Sequence, residues 1–144
     1  MRTSDKGVRD IILHEGMKRK AYLCSAGVPT IGVGHTKGVK LGAVCTIEQA
    51  YLWLKEDLAW AEEAVNKSVK VPLKQHEFDA LVSFVFNIGA PAFRHSTLLG
   101  LLNKECRKQA AEQFKRWVIG GAGLLTRRAR EALLFTGGKY ASIS

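Results

Sequence analysis

The sequence predicts a mostly α, α+β fold with two lobes: a small N-terminal lobe of helix and hairpin, a long connecting helix, and a larger helical lobe. Three observations predict it. Apolar residues recur at helical spacing (i, i+3, i+4, i+7) through most of the chain. One segment, residues 21–35, departs from that spacing and reads as a β-hairpin. The length, 144 residues, suits one domain that buries its own core without disulfide or metal staples. The expected bounds within this single domain, 1–144, are about 12–46 for the small lobe, 47–67 for the connecting helix and 68–144 for the helical lobe. A cleft between the lobes is the natural place for a ligand.

Ser4 or Asp5 can cap a first helix, and Val8, Ile11, Ile12 and Glu15 follow its apolar spacing, with Gly16 as the stop. Ala21-Tyr22-Leu23-Cys24, a turn at Ser25-Ala26-Gly27, and Pro29-Thr30-Ile31-Gly32-Val33-Gly34 form the hairpin. Thr46 with Gln49 resembles a capping box. A long helix should follow to about Asn66, its stripe formed by Ile47, Ala50, Tyr51, Leu54, Leu58, Ala61 and Val65, with Trp53 and Trp60 on a neighbouring face. Val71-Pro72 breaks it. Gln75 to Asn87 form a helix that is apolar nearly all round from Ala80 to Phe86, the mark of a central core helix. Gly89 and Pro91 interrupt it. Short helices are expected near Ser96–Asn103, Lys108–Val118 and Thr126–Thr136, the last after a glycine link at Gly120, Gly121 and Gly123.

The composition, 47% hydrophobic and 24% charged, is that of a globular protein rather than a disordered one. The net charge of +9 favours a polyanionic partner: nucleic acid, an anionic membrane or an anionic cell wall. It does not choose among them, and scattered charge also serves solubility alone. The basic residues form no recognised nucleic-acid motif, so a specific nucleic-acid partner is not expected. Cys24, Cys45 and Cys106 are an odd number without metal spacing, which argues against a disulfide framework and for folding in a reducing compartment. Cys45 and Cys106 read as buried structural thiols. No phosphate-cradling glycine motif is present, so neither cofactor nor metal is expected. The polar start Met1-Arg2-Thr3-Ser4-Asp5-Lys6 does not read as a secretory signal, and the run Ile11-Ile12-Leu13 is too short to span a membrane.

Glu15 is the first candidate for chemistry. A carboxylate on an apolar helix face is costly to desolvate, and desolvation favours the neutral acid that can protonate a leaving oxygen. The plainer alternative is a surface Glu pairing with Lys18 or Arg19. Thr30 is an ordinary strand residue on pattern alone. Asn87 suits a helix C-cap. Arg127, Arg128 and Arg130 crowd the first turn of the last helix, where the macrodipole disfavours cations. Such a violation suggests either carboxylate binding or merely a solvated basic face.

Several blocks carry a resemblance. His14-Glu15-Gly16, Ala21-Tyr22 and Pro29-Thr30-Ile31-Gly32-Val33-Gly34-His35-Thr36 come first. Phe86-Asn87-Ile88-Gly89, Phe93, Leu98-Leu99, Arg116-Trp117, Thr126-Arg127-Arg128 and Leu134-Phe135-Thr136-Gly137 follow. Together they resemble the phage lysozymes of glycoside hydrolase family 24, the group of T-even and lambdoid phages. The resemblance implies a two-lobed lysozyme fold and an endolysin that hydrolyses the β-1,4 bond between N-acetylmuramic acid and N-acetylglucosamine. Bacterial peptidoglycan is then the partner. It implies Glu15 as general acid and Thr30 as the residue positioning water. Asn87, Arg127 and Gly32 would border substrate, and His35 would pair structurally with Asp57. The family triad is Glu, Asp, Thr, and here Cys24 stands at the middle position.

That departure leaves three readings of Cys24: a thiolate nucleophile, an incomplete base, or the mark of a weakened enzyme that only binds peptidoglycan. A short basic helix at residues 126–136 acting on membranes is a possible secondary activity. With no export signal read, the expected location is the host cytoplasm before lysis. A monomer would then reach the periplasmic wall through a holin-like membrane lesion.

Overall fold

The computed structural model describes residues 1–121 and 123–142. Helix α1 (Asp5–Glu15) begins where the Ser4 hydroxyl accepts the Gly7 N–H and ends at Gly16, whose φ of +80° suits glycine. Its buried face is carried by Val8 and Ile11, while the Glu15 side chain is 31% exposed. The expected dry setting for Glu15 is therefore corrected. The last turn has already left the core, and Glu15 opens onto a cleft.

Strands β1 (Lys18–Leu23) and β2 (Pro29–Gly32) pair antiparallel, with Tyr22 opposite Thr30 and Leu23 opposite Pro29. The first strand starts three residues before the expected Ala21. Lys18, Arg19 and Lys20 are exposed, so no alternation marks them. The hairpin sits on the start of helix α2 (Ile47–Asp57) through Ala21, Ile31, Cys45 and Ala50. Gly32 makes this seating possible: its φ is +67°, and a Cβ there would lie 3.2 Å from the Ala50 methyl. The Thr46 hydroxyl accepts the Gln49 N–H at 3.0 Å and caps α2.

The expected long helix is two helices back to back, α2 and α3 (Ala59–Ser68), parted at Leu58. Leu58 keeps right-handed dihedrals (−74°, −11°), and its N–H is shared between the Leu54 and Glu56 carbonyls. No glycine or proline announces such a break, and the apolar stripe runs across it unchanged.

Helix α4 (Gln75–Ile88) is the centre of the core, buried continuously from Glu77 to Val85. Its C-terminus stops at Gly89, as expected. Pro91, however, stands in the first turn of another short helix, α5 (Ala90–Arg94), where its missing N–H costs nothing. Helices α6 (Thr97–Asn103) and α7 (Arg107–Glu112) follow, then a 3-10 turn (Gln113–Arg116) where one continuous helix was expected. Cys106 precedes α7 and is only half-buried, unlike Cys45. Helix α8 (Leu124–Gly137) closes the fold against α4.

Arg127 and Arg128 stand in the second turn of α8 rather than the first, and both are buried, Arg128 completely. The solvated basic face is therefore corrected for Arg128 and holds only for Arg130. The helix begins two residues earlier than Thr126, and this pair faces α4, where it bonds Ser83 and Asn87. Part of the glycine link, residue 122, and the nominal end of the domain, 143–144, lie outside the described residues.

Candidate active site

The C-terminus of α1, the end of α4 and the start of α8 enclose a cleft of about 850 Å³. Glu15 and His14 come from the first, Asn87 and Ile88 from the second, Arg127 and Arg130 from the third, and Trp117 completes one wall. Three of the six expected site residues, Glu15, Asn87 and Arg127, thus meet in one cavity.

Arg127 organises it. Its Nη1 donates to Glu15 Oε2 at 2.7 Å, its Nε to Glu131 Oε2 at 3.1 Å, and its Nη2 to the Ser83 carbonyl at 3.0 Å. A guanidinium fork suits this division among three acceptors. Arg128 lies beneath. It donates to the Trp117 carbonyl at 2.9 Å, to Glu131 Oε1 and to Asn87 Oδ1, with its guanidinium over the Phe84 ring. Ser83 Oγ donates to Glu131 Oε2 at 2.5 Å. The partner of Glu15 is therefore neither Lys18 nor Arg19 but a residue 112 positions away. Among the described residues no buried side-chain polar atom lacks a hydrogen bond, the condition under which buried charge is tolerable.

Glu131 and Ser83 were absent from the expected site, and Arg128, offered there for carboxylate binding or a solvated face, instead lies buried in its floor. A signal for two of them exists: Arg127, Arg128, Glu131, Leu134 and Phe135 occupy the inward spacing of α8, and both arginines stand three or four residues from Glu131. His14 was also missed. Burial, reinforced by the Arg127 charge and opposed by Asp10, pushes its pKa down to about 4, so its ring faces the cleft uncharged at neutral pH.

Cys24 and Thr30 form a second group at the mouth of the hairpin and do not line the cavity that holds Glu15. Thr30 is buried and donates its hydroxyl proton to the Val28 carbonyl at 2.8 Å. Cys24 closes the turn: its N–H donates to Val28 and its carbonyl accepts from Gly27. Its thiol is held below the ordinary thiol range by hydrogen bonding from the backbone at Val28, then at Ala26, with the Thr30 hydroxyl contributing. A hydroxyl has a single proton, so Thr30 can serve the Val28 carbonyl or the sulfur, and turning between them is a rotation about one bond. Gly32 also lies outside the cavity and has the packing role described above. The expected His35–Asp57 pair is present, Nδ1 to Oδ2 at 2.8 Å, with the imidazole stacked on Trp53 at 4.6 Å.

The family model described as phage lysozyme matches residues 13–131, a span that includes Glu15, Cys24, Thr30, Gly32, Asn87, Arg127 and Glu131. The endolysin of Salmonella phage P22 is 44% identical, over 94% of this chain and 98% of its own length. A crystal structure of a P22 lysozyme variant superposes with a TM-score of 0.89, again at 44% identity over 94% of this chain and 98% of that one. The endolysin from Escherichia coli O157:H7 phage FAHEc1 superposes at 0.91, with 39% identity over 97% of this chain and 96% of that one. Matched along most of its length in both sequence and fold, the chain belongs to the phage lysozyme family.

Proposed function

We propose that this chain is an endolysin that cuts the glycan of bacterial peptidoglycan with Glu15 as its general acid. The family makes it a glycosidase of the muramidase type. The observation that carries the role of Glu15 is its place: a carboxyl at the end of a helix, lining the cleft and held at 2.7 Å by Arg127 of α8. As general acid, Glu15 brings a proton to the bound glycan. That proton passes to the glycosidic oxygen as the C1–O bond breaks and positive charge builds on the sugar. Asn87 and Arg127 border the ring, with Gly32 behind the hairpin wall. Arg130, exposed at the cleft edge, suits the carboxylates of the lactyl group or the peptide stem.

On the hairpin side, Thr30 positions the incoming water, and Cys24 takes the water proton as oxygen bonds to C1. The lowered thiol pKa favours this, because the ionised form is the base. Direct attack by the thiolate is the competing role for the same sulfur. The endolysin relatives support the active enzyme and lend nothing to a homologue that only binds the wall. No helix among the described residues is long and apolar enough to cross a membrane. The proposal also has a monomeric protein wait in the host cytoplasm until a holin-like lesion admits it to the periplasm.

The test is turbidity loss of outer-membrane-stripped Gram-negative cells. Wild type should lyse them, and Glu15→Gln should be slower by about 10²–10⁴-fold. Cys24→Ser should lose most activity and Cys24→Asp should keep it. An inert wild type rescued by Cys24→Asp would mean an impaired enzyme. A folded set with no activity in any member would reject the assignment.

A further inference from the structure

Residues 16–47 carry five of the chain's 22 basic side chains and none of its 13 acidic ones. Lys18, Arg19, Lys20, Lys37 and Lys40 are all exposed, and none forms an ion pair among the described residues. The same stretch exposes aliphatic side chains where it leads into α2: Leu41 is 58%, Val44 69% and Ile47 60% exposed. Leu41 stands in a tight turn closed by the Ala43 N–H on the Lys40 carbonyl at 3.1 Å. Residues 43–45 then run antiparallel to β1. The Ala21 N–H donates to the Ala43 carbonyl at 2.9 Å, and the Cys45 N–H donates to the Arg19 carbonyl at 2.8 Å. Between those two bonds Lys20 and Val44 stand side by side. Ala21 and Cys45 face the small core on α2, so alternation turns Lys20 and Val44 outward. Arg19 Nε donates to the Cys45 carbonyl at 3.1 Å, which holds its guanidinium beside the same segment.

We propose that this corner of the hairpin lobe, Leu41, Val44 and Ile47 flanked by Arg19, Lys20 and Lys40, seats the protein on an anionic phospholipid surface. None of the six lines the cleft of Glu15. They project from a turn, a strand edge and the start of a helix, and exposed apolar groups clustered in this way mark a contact surface. Aliphatic side chains at such a tip enter the boundary between headgroups and acyl chains. Lysine stems lie along that boundary and set their ammonium groups among the phosphates. The sign of the charge is complementary throughout, since residues 16–47 present no carboxylate to a phosphate layer. A nucleic acid would engage the same cations but leave the three aliphatic side chains in water, because its binding uses phosphate contacts, base edges and stacking on aromatic rings. Bound to lipid in this way, the chain keeps the residues of its cleft uncommitted.

The test uses vesicles that contain no glycan, so its outcome is independent of the glycosidase reading. Wild type is mixed with phosphatidylcholine vesicles, with and without phosphatidylglycerol, at near-physiological salt, and the bound share is read by sedimentation. It should bind the anionic vesicles alone, and less as salt rises. The triple variant Leu41→Ser/Val44→Ser/Ile47→Ser keeps every cation and should weaken binding about tenfold. Lys20→Gln and Lys40→Gln should each weaken it about fivefold. The triple variant should still hydrolyse stripped cells at the wild-type rate, which reports an intact fold. If it does not fold, Leu41→Ser alone, at the turn, should weaken binding about twofold. A wild type that ignores anionic vesicles would overturn the proposal. So would a folded triple variant that binds them like wild type, since the contact would then be charge alone, of the kind any polyanion makes. Loss of binding in Leu125→Ser/Leu133→Ser, with the hairpin-lobe variant unaffected, would move the lipid contact to α8 and overturn it as well.

Discussion

Helices α4 and α8 are each 14 residues long and pack on one another, yet they are built in opposite ways. Helix α4 turns Phe78, Leu81, Val82, Phe84 and Val85 inward. Helix α8 turns Arg127, Arg128 and Glu131 inward over its first half, with Leu134 and Phe135 only beyond them, and leaves Leu125 and Leu133 62% and 55% exposed. The first is stabilised by removing apolar surface from water. The second contributes a buried ionic cluster whose desolvation is roughly offset by its own bonds. The difference teaches where hydropathy can be trusted. It locates the helix that fills the core, and it fails on the helix that carries the floor of the active site, because the inward face there is chosen for chemistry.

The comparison breaks most severely at Glu131. Glu131→Ala leaves two guanidiniums buried without their shared carboxylate and should cost about 3–5 kcal/mol, read by urea unfolding. A loss below about 1 kcal/mol would mean that water replaces the carboxylate and that the cluster is not a unit. Arg127→Lys keeps the charge but cannot serve Glu15, Glu131 and Ser83 together. It should cost roughly 1.5–3 kcal/mol and slow wall hydrolysis, with both measured on one preparation. In α4 the matching conservative change, Leu81→Met, should cost less than about 1.5 kcal/mol and leave hydrolysis alone. Equal effects of the two conservative changes would erase the distinction between the helices.

The smallest effect concerns His14, pressed by burial and by the α8 arginines. Its pKa of about 4 in the folded protein lies below the 6.5 of an ordinary histidine. Between those values the unfolded chain binds the extra proton, so stability rises with pH across that window. It is present in full above about pH 6.5 and lost as pH falls toward 4. His14→Gln should flatten this part of a melting-temperature profile. A profile unchanged by the substitution would remove His14 from the account.

Much of the fold was legible. The Ser4 cap, the Gly16 stop and the hairpin turn are local, and the all-apolar stretch from Ala80 to Phe86 has one sensible location. The break at Leu58 was not legible, since a shared N–H leaves no mark on side-chain spacing. Pro91 was read as a stop when it is a start, because proline serves both and only the following turn decides. Of the site, Glu15, Asn87 and Arg127 meet in one cleft, but Glu15 lacks the apolar surroundings that helical spacing implied. Spacing within one helix cannot say what the rest of the chain places opposite it. Trp60 read as a residue beside the stripe of a long helix. Its stacking on Phe86, 26 residues further on, leaves no trace in that spacing.

The bond from Arg127 to Glu15 also sets a time. The two residues are 112 positions apart, and the ribosome adds them in that order. At roughly 5–20 residues per second, about 6–22 s pass between the synthesis of the acid and that of the cation that positions it. Through that interval α1 and the hairpin can form while the acid has no fixed orientation. The reactive arrangement is therefore assembled near the end of translation, when α8 docks on α4, and a nascent or truncated chain lacking α8 is left with the hairpin lobe's chemistry unaimed.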